Sequence, residues 1–312
     1  MLENKINTLF VLGDIYDTRE NINVLIQTKV LELFGKTLKD FNIIIILGNH
    51  DSFFNDSNSS NSLKPLALLP NVKVYEEKEL IEIENKKILL VPWVIDINSF
   101  SNELEESIDK YDIIFGHLST IGFNMGGGIA SEGINPKLLL SKAKKTFLGH
   151  FHSRSKKTIA GNTIQYIGAP YELTKIDENE LKGAMILDLN TLNYFFINNT
   201  VSIKHKTFIY PQIPLEEEVY NNKITVFMTS EENLDGNKVD KYIKNIEEYK
   251  PAYDIKIELF QNKIEIKNFS EISNITIDKM FKQYLDSSEE YKNNKEELYN
   301  LLIKEYNKIK NN

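Results

Sequence analysis

Four short apolar runs in this chain each stop at a glycine that is followed by a residue able to bind metal. Residues 8–12 lead into Gly13-Asp14, and residues 43–47 into Gly48-Asn49-His50-Asp51. Residues 112–115 lead into Gly116-His117, and residues 146–148 into Gly149-His150-Phe151-His152. Brief β-branched or aromatic runs bounded by glycine read as buried strands. Between the first two, residues 23–39 carry apolar side chains at helical spacing (Val24, Leu31, Phe34, Leu38). Strand, helix and strand within about 40 residues make the βαβ unit of a largely parallel sheet. Open α/β sheets place ligand sites outside the carboxyl ends of their strands, so the four loops are expected to gather their side chains at one sheet edge.

Four of the five histidines (His50, His117, His150, His152) fall in these loops. A lone histidine is more often structural; four convergent ones beside Asp14 and Asn49 point to a metal centre. The chain has no cysteine, which removes disulfides, thiolate-held zinc, iron–sulfur clusters and thiol catalysis from consideration. Imidazole and oxygen donors without thiolate suit Mn²⁺, Fe²⁺ or Zn²⁺. Paired ions ~3.5–4 Å apart clamp a phosphodiester and stabilise attacking and leaving oxygens, so the expected reaction class is metal-assisted phosphoester hydrolysis.

The formal net charge of −8 argues against a simple basic coat for nucleic acid. Charge is nonetheless local: residues 135–171 lack Asp and Glu but hold Lys137, Lys142, Lys144, Lys145, Arg154, Lys156 and Lys157. A solvated surface is the plain reading of that lysine run. The two arginines of the chain, Arg19 and Arg154, flank the motifs and are candidates for phosphate or DNA contacts.

A length of 312 residues favours two compact units. Further strands are expected at 80–83 and 87–92, a helix at 99–108, and shorter β elements at 164–166, 184–189 and 192–197. A second unit is expected over 202–269, with strand 223–228, helix 239–249 and strand 255–260, entered through an acidic linker at Glu216-Glu217-Glu218. The last residues read as helical, with one apolar stripe at Ile277, Met280, Phe281, Tyr284 and Leu285 and another at Leu298, Leu301, Leu302 and Ile309. Trp93 reads as core rather than as a base-stacking residue, and Gly126-Gly127-Gly128 as a flexible loop rather than a nucleotide cradle. No apolar run approaches the ~18 residues of a membrane span and no secretory signal is visible, so a cytoplasmic location without membrane attachment is expected.

The motifs GDIYD (13–17), GNHD (48–51), GH (116–117) and GHFH (149–152), in this order and spacing, resemble the calcineurin-like metallophosphoesterases. Within them the chain is most similar to the SbcD-type DNA-repair nuclease subunit in its phage form, and LPNVKVYE, VPWV and YIGAPYELT extend the likeness. The resemblance implies an α/β metallophosphoesterase βαβ sandwich over residues 1–201, a small α+β capping domain over 202–269, and a helical segment over 270–312 that docks on an SbcC-type coiled-coil ATPase. It implies DNA as substrate, a homodimer of nuclease subunits, and two divalent ions, with Mn²⁺ expected. Asp14 would bridge the ions; Asn49, His117 and His150 would complete one site and His152 would serve the other. His50 would act as general acid or transition-state stabiliser, and Asp17 and Asp51 would support the ligands. The family's Asp-x-His motif, which supplies further ligands to the His152 site, does not occur before Asp14. One well-formed site, impaired DNA hydrolysis and an apolar sheet edge are therefore expected. A small-substrate phosphoesterase and a non-catalytic assembly subunit stand as alternatives.

Overall fold

Alternation of side chains along the strands decides how this protein layers. In the computed structural model, which describes residues 6–54, 56–126, 128–229 and 236–260 with positions 285, 295, 296, 298, 299, 301 and 303, the elements run as follows. The first part holds β1 (Thr8–Val11), α1 (Val24–Glu32) continued by a wider helical turn Leu33–Thr37, β2 (Asn42–Ile46), β3 (Val72–Tyr75), β4 (Glu79–Ile83) and β5 (Lys86–Val91). Next come α2 (Ile97–Glu106), β6 (Tyr111–Gly116), α3 (Pro136–Lys142), β7 (Ala143–Leu148), β8 (Ser155–Ile159) and β9 (Asn162–Tyr166). They are followed by β10 (Gly183–Leu187), β11 (Tyr194–Asn198), β12 (His205–Ile209), α4 (Glu216–Val219), β13 (Lys223–Thr229), α5 (Gly236–Glu247) and β14 (Lys256–Phe260).

β1, β2 and β3 form a parallel sheet in that order, in register Phe10 with Ile44 and Ile44 with Lys73. A second sheet has the order β4-β5-β6-β7-β9-β8, parallel at its centre and closed on each side by an antiparallel strand. Successive residues of a strand face opposite sides, and both sheets are apolar on both. On β2, Ile44 and Ile46 join Ile88 and Leu90 of β5, Ile113 and Phe115 of β6 and Phe147 of β7 in one core between the sheets. Phe10 stacks on Phe115 there, with ring centroids 4.4 Å apart. Ile43 and Ile45 face the other way, into a core with Phe34, Leu63 and Leu66. Leu89, Val91, Ile114 and Leu148 point to a third core covered by Phe100 and Leu104 of α2 and Leu139 and Leu140 of α3. The antiparallel hairpin β10–β11 adds Met185, Leu187 and Tyr194 to the central core.

The helices that cover the outer faces start at side-chain caps. The Asn23 side chain accepts from the Leu25 amide, Asp96 from the Asn98 and Ser99 amides, and Asn135 from the Lys137 amide with Pro136 in the first turn.

The motif-bearing strands thus belong to two facing sheets, not to the one sheet edge expected. β1 and β2 lie in the first and β6 and β7 in the second. Strands apolar on both faces need cover twice, and packing sheet on sheet provides it while leaving both sets of carboxyl ends together.

By contact the chain divides into two units, residues 1–206 with 218–224 and 251–254, and residues 207–217 with 225–250 and 255–312. In the second, β12, β13 and β14 make a sheet, with β13 and β14 parallel. Helix α5, which buries Tyr242 and Ile246, connects β13 to β14, and the Tyr242 hydroxyl donates to the Gln212 carbonyl at 2.6 Å. The acidic stretch expected as a linker forms the short helix α4. The terminal apolar stripes lie almost wholly outside the described residues.

Two phenylalanines test this layering. Phe147 is fully buried and Phe195 is 56% exposed. Phe147→Ala should cost about 3–5 kcal/mol of unfolding free energy in denaturant titration, and Phe195→Ala no more than about 0.5 kcal/mol. Equal effects would contradict it.

Candidate metal centre

The carboxyl ends of β1 and β2 are stitched together by one buried side chain. Asp51, 1% exposed, accepts from the amides of Asp14 (2.8 Å) and Gly48 (2.9 Å) through Oδ2, and from Ile15 (2.9 Å) and Tyr16 (3.4 Å) through Oδ1. Burial, with the charge of Asp14 added, pushes the Asp51 carboxyl above its ordinary value against the pull of the Gly48 and Asp14 amides. The two loops touch so closely that side chains cannot intervene. A Cβ on Gly13 (φ +86°) would strike His117 Nδ1, and one on Gly48 would strike the Asp14 carboxylate. Asp14 (φ 56°) and His150 (φ 79°) themselves hold left-handed backbone, a conformation that costs about 1–3 kcal/mol per residue and clusters at functional sites.

The side chains so presented are acceptors aimed at one another. Ligand atoms of Asp14, His117 and His150 lie within 4.8 Å of each other. His117 Nδ1–H donates to the Leu12 carbonyl at 2.6 Å, which leaves a lone pair on Nε2. That lone pair faces Asn49 Oδ1 at 3.0 Å and Asp14 Oδ2 at 3.2 Å. His150 Nδ1 lies 2.9 Å from the same Asn49 oxygen. Crowded lone pairs repel unless a proton or a cation sits among them, and this set of carboxylate, amide oxygen and imidazoles fits a divalent ion. An imidazole whose other nitrogen is fixed on a backbone carbonyl is the usual support of a metal-binding histidine.

Electrostatics keeps these groups in their metal-binding protonation states. Burial, then the like charge of His117, pushes the His150 imidazole down from 6.5 to about 4. Burial raises the Asp14 carboxyl, but His117, when its Nε2 also takes up a proton, and the His50 amide bring it below its ordinary value. At neutral pH the site therefore offers a carboxylate and a neutral imidazole. Trp93 forms a wall of the site, its ring centroid 5.1 Å from that of His150 and 6.1 Å from that of His117.

The signature of the calcineurin-like phosphoesterases matches residues 1–176. The chain belongs to the calcineurin-like phosphoesterase family. Over 214 residues it is 34% identical to "Exonuclease subunit 1" of Enterobacteria phage T4, an alignment covering 67% of this chain and 60% of that protein. The chain thus spans less than two thirds of that relative. The layered α/β architecture is that of the family, whose members use divalent metals.

Around this phosphoesterase centre the other sequence-expected residues fall as follows. The His50 amide donates to Asp14 Oδ1 at 2.9 Å, and its ring Nδ1–H to the Asp17 carbonyl at 2.6 Å. Asp17 thus holds His50 through its backbone, while its carboxylate is exposed. His152 stands close enough for its charge to act on His150. Arg154 is turned to β11, where it donates to Asn198 Oδ1 at 2.8 Å and lies 4.1 Å over the Phe196 ring. Arg19 is half-buried, with interactions of its own.

The lysine run splits. Lys142 is buried on the carbonyls of Glu105 and Ser107, and Lys144 pairs with Asp112 at 2.6 Å. Those residues and Lys145 border or start β7, at the end opposite Gly149. Lys156 and Lys157 lie on β8, whose Ser155 pairs with Tyr166 at the carboxyl end of β9.

Trp93 is the site residue that reading the sequence missed. Its signal was the register: β5 runs parallel to β6 with Val91 opposite Gly116, so the residues after β5 emerge beside His117.

Two tests follow from this geometry. Asp51→Asn replaces an acceptor of four amides by a group with one acceptor oxygen. It should cost about 2–3 kcal/mol in unfolding and weaken Mn²⁺ binding about 10–100-fold in equilibrium titration; unchanged affinity would contradict the stitching role. Because the folded value for His150 lies below its unfolded one, its contribution to stability is present above pH 6.5 and is lost as pH falls toward 4. The metal-free protein should lose melting temperature over that interval, and His150→Gln should flatten the loss.

Proposed function

We propose that this chain is a metal-dependent DNA phosphodiesterase, the nuclease subunit of an SbcCD-like recombination and repair complex encoded by a phage. The observation that carries the reading is the convergence of Asp14, Asn49, His117 and His150 lone pairs on one point. The likeness to a protein named as an exonuclease subunit supports DNA as the substrate and a partner chain. Two divalent ions, taken to be Mn²⁺, would supply positive charge against the phosphodiester and acidify water. Asp14 would bridge them, with Asn49, His117 and His150 on one side and His152 on the other. His50, its Nδ1–H engaged by Asp17, keeps Nε2 available to carry a proton to the leaving oxygen. Lys156 and Lys157 are the basic residues best placed to meet a DNA backbone.

Among the described residues the His152 side has only Asp14 and His152 as expected ligands, so this 312-residue chain should hold one Mn²⁺ tightly and cleave DNA slowly. The test compares linear duplex DNA with p-nitrophenyl phosphate in Mn²⁺. Hydrolysis of DNA in preference to the monoester, lost in His150→Ala, supports the nuclease reading. Preference for the monoester favours a small-substrate enzyme. No hydrolysis of either, with Mn²⁺ bound, favours a non-catalytic assembly subunit.

Partners complete the proposal: an SbcC-type coiled-coil ATPase for the C-terminal segment, and a second copy of this chain. Helix α1 supports the second, because it buries none of its residues and leaves Val24, Leu25 and Ile26 exposed. A dimer in light scattering that dissociates in Leu25→Glu is the expected result; an unaffected dimer would place its interface elsewhere. The working location is the cytoplasm of the infected host.

A further inference from the structure

Lys182 is 4% exposed and belongs to no ligand set. Its ammonium donates to three oxygens: the backbone carbonyl of His152 at 2.7 Å, Asp177 Oδ1 at 2.6 Å and Glu180 Oε2 at 2.8 Å. All three protons are thereby used. Each acidic partner is itself anchored. Glu180 Oε1 accepts from the Ser153 hydroxyl at 2.7 Å. Asp177 Oδ2 accepts from the Leu173 and Thr174 amides at 3.1 and 2.9 Å and from the Thr174 hydroxyl at 3.2 Å. The His152 carbonyl also takes the Ala169 amide at 3.0 Å. The peptide joining His152 to Ser153 is therefore gripped from both residues by one buried ionic cluster.

Burying an ammonium with its partners is costly, and apolar packing of the same volume would often serve stability as well. Direction is what this cluster adds. The chain leaves β7 at Gly149, turns through His150 in left-handed backbone, and must present a second imidazole two residues later. A carbonyl held by a tetrahedral three-proton donor sets the orientation of that peptide, and with it the line along which the His152 side chain leaves.

We propose that Lys182 is a positioning residue for His152, fixing its main chain so that the imidazole reaches the metal centre. The inference rests on the reading of His152 as a metal ligand. It assigns to a lysine 30 residues away in sequence a part in metal binding that no contact with the metal would reveal.

The experiment uses ¹¹³Cd²⁺ at saturating concentration with the ¹⁵N-histidine-labelled full chain, because cadmium–nitrogen couplings report coordination bonds and not mere proximity. Lys182→Met strands the buried Asp177 carboxylate and the half-buried Glu180 and can fail to fold, so Lys182→Met combined with Asp177→Asn is measured beside it. The wild type should show couplings to His117, His150 and His152. The folded variant should lose the His152 coupling and keep the other two. Persistence of the His152 coupling in a folded variant overturns the proposal, as does loss of all three, because the effect would then not be directed at His152. In the wild type, couplings to His117 and His150 but not His152 overturn the role of Lys182 while leaving the metal centre standing. Coupling to no histidine overturns the metal centre itself.

Discussion

One carboxylate, that of Asp51, carries the arrangement of the centre. It is buried, and it accepts four backbone amides drawn from two loops that are far apart in sequence. Those amides belong to the residues that present Asp14 and precede Asn49, so the positions of these two residues are set by bonds to main chain, not by flexible side chains. Leaving buried amides without an acceptor is expensive, so the four bonds are costly to break. The strained backbone at Asp14 is held in place by this network.

The second dependence is between sheets. His117 leaves β6 of the six-stranded sheet, yet its Nδ1–H is bonded to the Leu12 carbonyl just past β1 of the three-stranded one. The core formed by Phe10, Ile44, Phe115 and Phe147 sets the spacing of the two sheets, and the hydrogen bond converts that spacing into the orientation of an imidazole. Apolar packing in the middle of the molecule is thus coupled directly to the geometry of the candidate centre at its edge. Burial, then the like charge of His117, lowers the proton affinity of His150, so the chemistry of the site follows from the same packing.

Much of this was legible in the chain itself. Glycine followed by Asp, Asn or His at four strand ends marked the residues Asp14, Asn49, His117 and His150 that the structure brings together, and Asp51 beside them accepts four amides. The division of those strands between two sheets was not legible, because alternation says which faces are apolar and not which strands share a sheet. β3 and β8 escaped for related reasons: VKVY is only four residues long, and SKKTI at a sheet edge carries few buried side chains. The lysine run read as one surface feature, whereas strand direction sends Lys144 and Lys156 to different ends of the sheet. Lys182 gave no signal at all, since its importance lies in a carbonyl that sequence patterns do not mark.

The most direct measurement is anomalous diffraction at the manganese edge from crystals of the full chain soaked in Mn²⁺. The expected result is a peak enclosed by Asp14 Oδ2, Asn49 Oδ1, His117 Nε2 and His150. No peak there in crystals that bind Mn²⁺ elsewhere, or a peak with His117 Nε2 turned away from it, would contradict the account.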